Sequence, residues 1–326
     1  MKNNLIMALP LAFIAVIWVT SVAAKERPNE SSNNLASLLQ QKKWIHGSAN
    51  CKSNTDPAIE VYKYDQSSYV LRQNKCATYE APFIYVLFGN EKVLVLDTGA
   101  TESVEDFPLY SLVKILIEEH SLQGEKSDKE ILVIHSHSHR DHYAGDVQFI
   151  GKPNVTVVAP NSSGINQYFA FAKWPDGLDY VELGGRKITV IPTPGHQEEA
   201  ISIYDPQNKW LLTGDTFYPG TIYVKNWSEY KKSISRLVSF SNSHEVSLIL
   251  GAHIEMTNRA GEYYSIGTNY QPDEASLTLL PIDLAILDSE LQKTDKENKV
   301  MLNKLIVLPM STIQKIFSNV ARWIIQ

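Results

Sequence analysis

Between Ile131 and Asp146 the chain reads ILVIHSHSHRDHYAGD, and the polar residues inside it fall into the spacing H-x-H-x-D-H. His137, His139, Asp141 and His142 supply that pattern. Alternate side chains on a strand, or on extended chain just beyond one, point the same way, so His137 and His139 can reach one metal ion. Asp141 and His142 lie where the chain turns and can face a second ion nearby. Imidazole nitrogen with carboxylate oxygen is a ligand set suited to Zn²⁺. Zinc brings the pKa of a bound water towards neutrality, so the chemistry on offer is hydrolysis. A histidine-rich surface loop could carry the same letters. Four fitting residue types at fixed offsets behind an apolar strand count against that.

Other strand ends deliver polar residues in the same manner. Lys92 to Leu96 reads as a strand buried on both faces, and it ends in Asp97-Thr98-Gly99. Asp97 could cap the next helix; the favoured role is a hydrogen bond to a metal-binding histidine that fixes its tautomer. Lys187 to Ile191 runs into Pro192-Thr193-Pro194-Gly195-His196, where the prolines exclude helix and Gly195 permits a sharp turn. His196 then suits a third ligand for the first ion. The strand at Trp210 to Leu212 stops at Thr213-Gly214-Asp215, and Asp215 could give one oxygen to each ion. Ser247 to Leu250 leads to Gly251-Ala252-His253, which completes the second site. Five strand ends with polar residues point to a site along one edge of a sheet.

This ordered set resembles the metallo-β-lactamase-fold hydrolases, over roughly Phe83 to Thr257. The resemblance implies an α/β fold, an αββα four-layer sandwich, here with an extra C-terminal helical segment. It implies one zinc held by His137, His139 and His196, a second held by Asp141, His142 and His253, and Asp215 as the bridge. β-Lactamase branches place Cys or Ser where Asp215 stands; the carboxylate looks more like glyoxalase II and lactone-hydrolysing members. Gln197-Glu198-Glu199-Ala200 departs from the Thr or Ser, then Gly, that many relatives carry after Gly-His. The expected activity is hydrolysis of an ester, thioester, lactone or amide in a small-molecule substrate, with two Zn²⁺ per chain and Asp141 or Asp215 handling the proton. One alternative is a mononuclear iron enzyme resembling the persulfide dioxygenases, with iron on His137, His196 and Asp215. A β-lactamase and a non-catalytic metal-binding protein are the others.

The elements that position these residues follow from periodicity and punctuation. Ile59 to Tyr64 and Tyr69 to Arg72 form a hairpin whose closure could pair Cys51 with Cys76, the only two cysteines. Two free thiols are the alternative. Asp106 to His120 has helical spacing, with Asp106 and Pro108 in its first turn and His120 solvated at its end. The aromatic stretch from Asn161 to Trp174 is either a pocket wall or a helix that buries Tyr168, Phe169, Phe171 and Trp174. Ile282 to Gln292 and a segment from Ser311, with Ile313, Ile316, Phe317, Val320 and Trp323 on one face, read as helices. His135 two residues before the motif, and His46 and His244 in polar surroundings, get structural or exposed readings. Glu255 could orient His253, and Tyr218 or Tyr223 could meet a substrate carbonyl, with packing or exposure as the rival readings.

At 326 residues, 44% apolar and 20% charged, the chain has ample material for a globular core. A formal net charge of -6 with no lysine or arginine run argues against a nucleic-acid partner. Lys2, the apolar run from Leu5 to Val19 and Ser21-Val22-Ala23-Ala24 have the layout of a secretory signal peptide, so the mature chain is expected in the periplasm or outside the cell. An uncleaved anchor would place it on a membrane; Pro10 and the small residues favour cleavage. The expected division is 1–24 signal peptide, 25–80 N-terminal extension with the hairpin, 81–262 catalytic core and 263–326 C-terminal helical segment. Oligomeric state is not legible.

Overall fold

The computed structural model of the chain describes residues 32–293, 296–316 and 318. The expected signal peptide lies outside the described residues, as do Phe317, Val320 and Trp323 of the last helix. Among the described residues no helix is long and apolar enough to cross a membrane.

The first half of the chain builds one sheet. Helix α1 (Ser32–Gln40) leads to β1 (Ile59–Lys63), β2 (Ser68–Gln73), β3 (Phe83–Phe88) and β4 (Lys92–Leu96). Helix α2 (Leu109–Ser121) crosses over to β5 (Glu130–Ile134), and the one-turn α3 (Arg140–Tyr143) precedes β6 (Val155–Val157). These strands lie side by side in chain order as a six-stranded sheet, antiparallel up to β4 and parallel from β4 to β6. The expected hairpin is therefore the outer part of this sheet, in the register Ile59 to Gln73 and Lys63 to Tyr69. A disulfide joins Cys51 to Cys76.

The second half builds its partner. Helix α4 (Ser162–Tyr168) is followed by β7 (Asp179–Glu182), β8 (Lys187–Pro192), β9 (Ile201–Asp205), β10 (Trp210–Gly214) and β11 (Thr221–Val224). Helix α5 (Trp227–Ser243), β12 (Leu248–Gly251), β13 (Thr278–Leu279), α6 (Pro281–Gln292), β14 (Val300–Met301) and β15 (Ile306–Pro309) complete the chain. The second six-stranded sheet has the order β13-β12-β10-β9-β8-β7, and a small third sheet is β11-β15-β14.

Side-chain alternation explains the layers, because successive residues of a strand face opposite ways. Leu94, Leu96, Leu132 and Ile134 of the first sheet meet Val190, Ile203, Trp210 and Leu250 of the second in one core. The alternate residues Val93, Val95, Ile131 and Val133 pack against Val113, Leu116 and Ile117 of α2. Leu211 and Ile249 do the same against Tyr230, Ile234 and Leu237 of α5 and Leu284 and Leu287 of α6. Each sheet is thus covered on both faces, and the fold is the αββα sandwich. Buried Arg186 ties the two sheets together: it grips Asp205 of β9 at 2.6 and 3.0 Å and donates to the Ser67 and Phe88 carbonyls at 2.9 and 3.1 Å.

Several expectations need correction. Helix α2 starts at Leu109; Pro108 has ψ 57, so it and Asp106 belong to the preceding turn, which anchors the fully buried Phe107. His120 is not solvated. It continues the stripe Val113, Leu116, Ile117 onto the buried face, is 5% exposed, and stacks on Phe88 with ring centroids 3.9 Å apart. The rings of Phe169, Phe171 and Trp174 pack on the inter-sheet core from beyond a helix that ends at Tyr168, and Tyr168 itself is exposed, so no single helix buries the four. His46 is half-buried beside the Trp44 carbonyl, whereas His244 is exposed as expected. Beyond α6 the chain also supplies strand β15, which pairs in parallel with β11.

Candidate metal centre

Strand direction brings the candidate residues to one rim. β4 and β5 are parallel; β8 and β10 both oppose β9, and β10 is parallel to β12. The C-terminal ends of β8, β10 and β12 therefore share an edge of their sheet, as those of β4 and β5 share an edge of theirs. Close backbone approach makes two of these exits possible. A Cβ on Gly195, at φ +145, would fall 2.4 Å from Tyr230 Cα, and one on Gly214 would fall 2.4 Å from Ser136 Cβ. Only glycine fits either position.

All seven predicted residues converge, in two groups. His137, His139, His196 and Asp215 form one, and Asp141, His142 and His253 the other, each with its ligand atoms within 4.8 Å of one another. In the first, His139 Nδ1 lies 2.9 Å from His137 Nε2 and 3.1 Å from His196 Nε2. Asp215 Oδ2 stands 3.7 and 3.6 Å from His137 and His196 Nε2. In the second, Asp141 Oδ2 is 3.3 Å from His142 Nε2 and 3.2 Å from His253 Nε2. Donors at the corners of a tetrahedral zinc site sit roughly 3.3 Å apart, so both groups have the spacing a metal needs. Among the described residues the buried Asp215 Oδ1 has no hydrogen-bond partner; it lies 3.6 Å from His142 Nε2 and 3.5 Å from His253 Nε2. A buried carboxylate oxygen left in that state is costly unless a cation satisfies it. The donor set fits a metal.

A second layer orients the rings. Asp97, at φ +68, turns its carboxylate back so that Oδ2 accepts from His142 Nδ1 at 2.9 Å and Oδ1 from the Ser136 N–H at 2.7 Å. The left-handed region is more open to Asp than to most residues. His196 Nδ1 donates to the Tyr223 carbonyl at 2.6 Å, and His253 Nδ1 to the Glu80 carbonyl at 3.0 Å. The Gln197 amide stands 2.6 Å from His139 Nε2. With one ring nitrogen engaged, the other is left pointing at the centre. The role expected of Asp97 is seen here, whereas the carbonyls of Glu80 and Tyr223 and the Gln197 amide escaped the sequence reading. Position 197, the departure from the usual motif, marks the third.

Electrostatics divide the two groups. Burial pushes His137 well below the usual imidazole range, His139 to about 3 and His196 downward, which favours neutral rings ready to ligate. Burial opposes charge on Asp141 and Asp215 too, but His142 and His253 outweigh it and hold both carboxyls well below their ordinary range. Those carboxylates in turn raise His142, and raise His253 to about 9, against the effect of burial.

A cavity of about 280 Å³ opens beside these residues. Its wall takes in Lys75, Glu80, Tyr223, Tyr264, Gln271 and Met310. Glu255 also faces it, accepting from the Thr221 N–H at 2.7 Å rather than from His253. Tyr218 directs its hydroxyl to the Thr221 carbonyl at 2.9 Å, a packing role. His135 keeps out of the centre, bonded to Asp146 at 2.8 Å and to the Val158 carbonyl at 3.0 Å.

Comparison with known proteins finds several similarities. The acyl-coenzyme A thioesterase MBLAC2 of Homo sapiens is 25% identical over 222 residues, covering 57% of this chain and 77% of the relative. A hydroxyacylglutathione hydrolase from Idiomarina loihiensis is 28% identical over 152 residues, 46% of this chain and 52% of its own length. Among solved structures, a metallo-beta-lactamase from Pontibacter korlensis aligns with 72% of this chain and 100% of its own at 18% identity, with a TM-score of 0.45. The family model of the metallo-beta-lactamase superfamily matches residues 78–253, a stretch that takes in all seven converging side chains. Fold, site and that match together make the chain a member of the metallo-beta-lactamase superfamily.

Proposed function

We propose that this chain is an exported binuclear zinc hydrolase that cuts an ester, thioester, lactone or amide bond of a small molecule. Asp215 carries the reading. Its Oδ2 faces His137 and His196 at 3.7 and 3.6 Å while its Oδ1 faces His142 and His253 at 3.6 and 3.5 Å. A carboxylate placed between two groups of donors suits two ions held close together. His137, His139, His196 and Asp215 would hold one, and Asp141, His142 and His253 the other, with Asp215 shared. When bound, such a pair lowers the pKa of water towards neutrality and polarises a substrate carbonyl.

The chain's own groups account for orientation and proton handling. The Glu80 and Tyr223 carbonyls and the Asp97 carboxylate hold His253, His196 and His142 in their ligating tautomers. Of the two candidate proton carriers, Asp141 has the more exposed side chain, 18% against 9% for Asp215. That more open position gives Asp141 the shorter path for passing a proton to solvent. The names of the two relatives, an acyl-coenzyme A thioesterase and a hydroxyacylglutathione hydrolase, put acyl–sulfur bonds first among the bonds to test. The Cys51–Cys76 disulfide supports export, since such bonds persist in oxidising compartments.

The test is a zinc-loaded preparation assayed against a panel of thioesters, esters, lactones and β-lactams. Turnover of one class supports the reading and names the bond. A zinc-replete protein inert to the whole panel contradicts it.

A further inference from the structure

Lys75 is the only lysine or arginine among the described residues that line the cavity beside the candidate ligands. It is 3% exposed, and burial pushes its ammonium down to about 8, which leaves it charged at neutral pH. An ammonium has three donors. Among the described residues one partner is recorded for them, the Tyr79 carbonyl at 3.0 Å. Four carboxyls share the cavity: Asp141 and Asp215 belong to the candidate ligand groups, while Glu255, which accepts from the Thr221 N–H at 2.7 Å, and Glu80 favour the ammonium's charge from a distance. On the same wall Gln271, also 3% exposed, has a buried Oε1 with no hydrogen-bond partner among the described residues. A buried cation and a buried acceptor, each short of partners, face one volume.

The segment that carries the lysine is fastened. Cys76 is tied to Cys51, and Asn74 accepts from the Cys76 N–H at 2.8 Å while donating to Asn54 at 3.0 Å. Lys75 is anchored on the carbonyl of Tyr79, and the carbonyl of the next residue, Glu80, accepts from His253. Carbonyls of adjacent residues therefore link the ammonium to a candidate ligand.

We propose that Lys75 recognises an anionic oxygen of the substrate, from a carboxylate or a phosphate group, while Gln271 Oε1 accepts from an N–H or O–H of the same molecule. This deepens the hydrolase reading and rests on it. The experiment uses the zinc-loaded full chain and matched thioesters that differ at one remote position, bearing a carboxylate, a phosphate or a methyl ester. The wild-type protein prefers a charged member by about tenfold or more in kcat/KM, the size expected of a charge-assisted hydrogen bond at depth. Lys75→Met brings that ratio close to one, chiefly through KM, and Lys75→Arg retains part of it. Which charged member is preferred tells carboxylate from phosphate. A wild-type protein indifferent to the charge, or a Lys75→Met variant that loses all members alike, overturns the proposal. Should no member be cleaved, calorimetric binding of the same compounds decides: a loss of about tenfold in Lys75→Met for the charged ones alone sustains the lysine while the hydrolase reading falls. Equal binding by both proteins overturns the lysine's role.

Discussion

Asp97 Oδ2 lies 2.9 Å from His142 Nδ1, and the same carboxylate takes the Ser136 N–H at 2.7 Å and the Ser136 hydroxyl at 2.9 Å. One side chain thus fixes both the ring of a candidate ligand and the start of the loop that bears four of them. Partners of this kind are worth about 10–100-fold in metal affinity. Asp97→Ala should weaken zinc binding by that factor in competition with a chromophoric chelator. Unchanged affinity would show that the contact does not tune the metal.

Asp215 faces both groups, and among the described residues its Oδ1 has no hydrogen-bond partner. Asp215→Ala should bring the zinc content below two per chain and reduce kcat/KM by about 10³, since metal activation is worth several kcal/mol. Two zinc ions retained with full turnover would remove the bridging role.

Arg186 and Asp205 are both buried and bonded at 2.6 and 3.0 Å, and the guanidinium also donates to the Ser67 and Phe88 carbonyls and to the Ser68 hydroxyl. Arg186→Met removes the cation that pairs the buried Asp205 carboxylate, leaving it the Gln207 and Asn208 N–H groups at 3.3 and 3.2 Å. Urea unfolding should show a loss of about 3–5 kcal/mol, with the double variant Arg186→Met, Asp205→Leu recovering part of it. A loss below about 1 kcal/mol would mean the pair does not hold the sheets together.

His120, stacked on Phe88 and 3.2 Å from the Tyr69 hydroxyl, is lowered by burial to about 4. Its unfolded value is about 6.5, so the unfolded chain binds the proton more tightly. The neutral ring's contribution is therefore present above pH 6.5 and is lost as pH falls from there towards 4. Between pH 7 and pH 5 this amounts to about 2 kcal/mol at most. His120→Phe keeps the stack and should flatten that part of the stability profile in denaturant titrations. An unchanged slope would place the titration elsewhere.

Much of the site was legible because ligation demands particular side chains at local spacings. The H-x-H-x-D-H run, the Gly-His after two prolines and the carboxylate after β10 each announce themselves within a few residues. A layered α/β domain followed from a strand apolar on both faces, whereas the αββα sandwich came from the resemblance to the family. What supports the ligands was hidden, since the acceptors for His253 and His196 are the backbone carbonyls of Glu80 and Tyr223, which any residue could supply. Strand β15 pairs with β11 across more than 80 positions, a contact no local period reveals. His120 was readable but misread: it continues the i, i+3, i+4, i+7 stripe that begins at Val113. Lys75 has the sequence signature of any surface lysine, and only its burial singles it out.

The most direct test of the account is metal content by elemental analysis of the purified protein, read together with turnover of a thioester panel. The binuclear hydrolase predicts two zinc ions per chain and hydrolysis that disappears with chelation and returns with zinc. One iron per chain, oxygen uptake and an inert panel would contradict it and point to a mononuclear iron oxidoreductase at His137, His196 and Asp215.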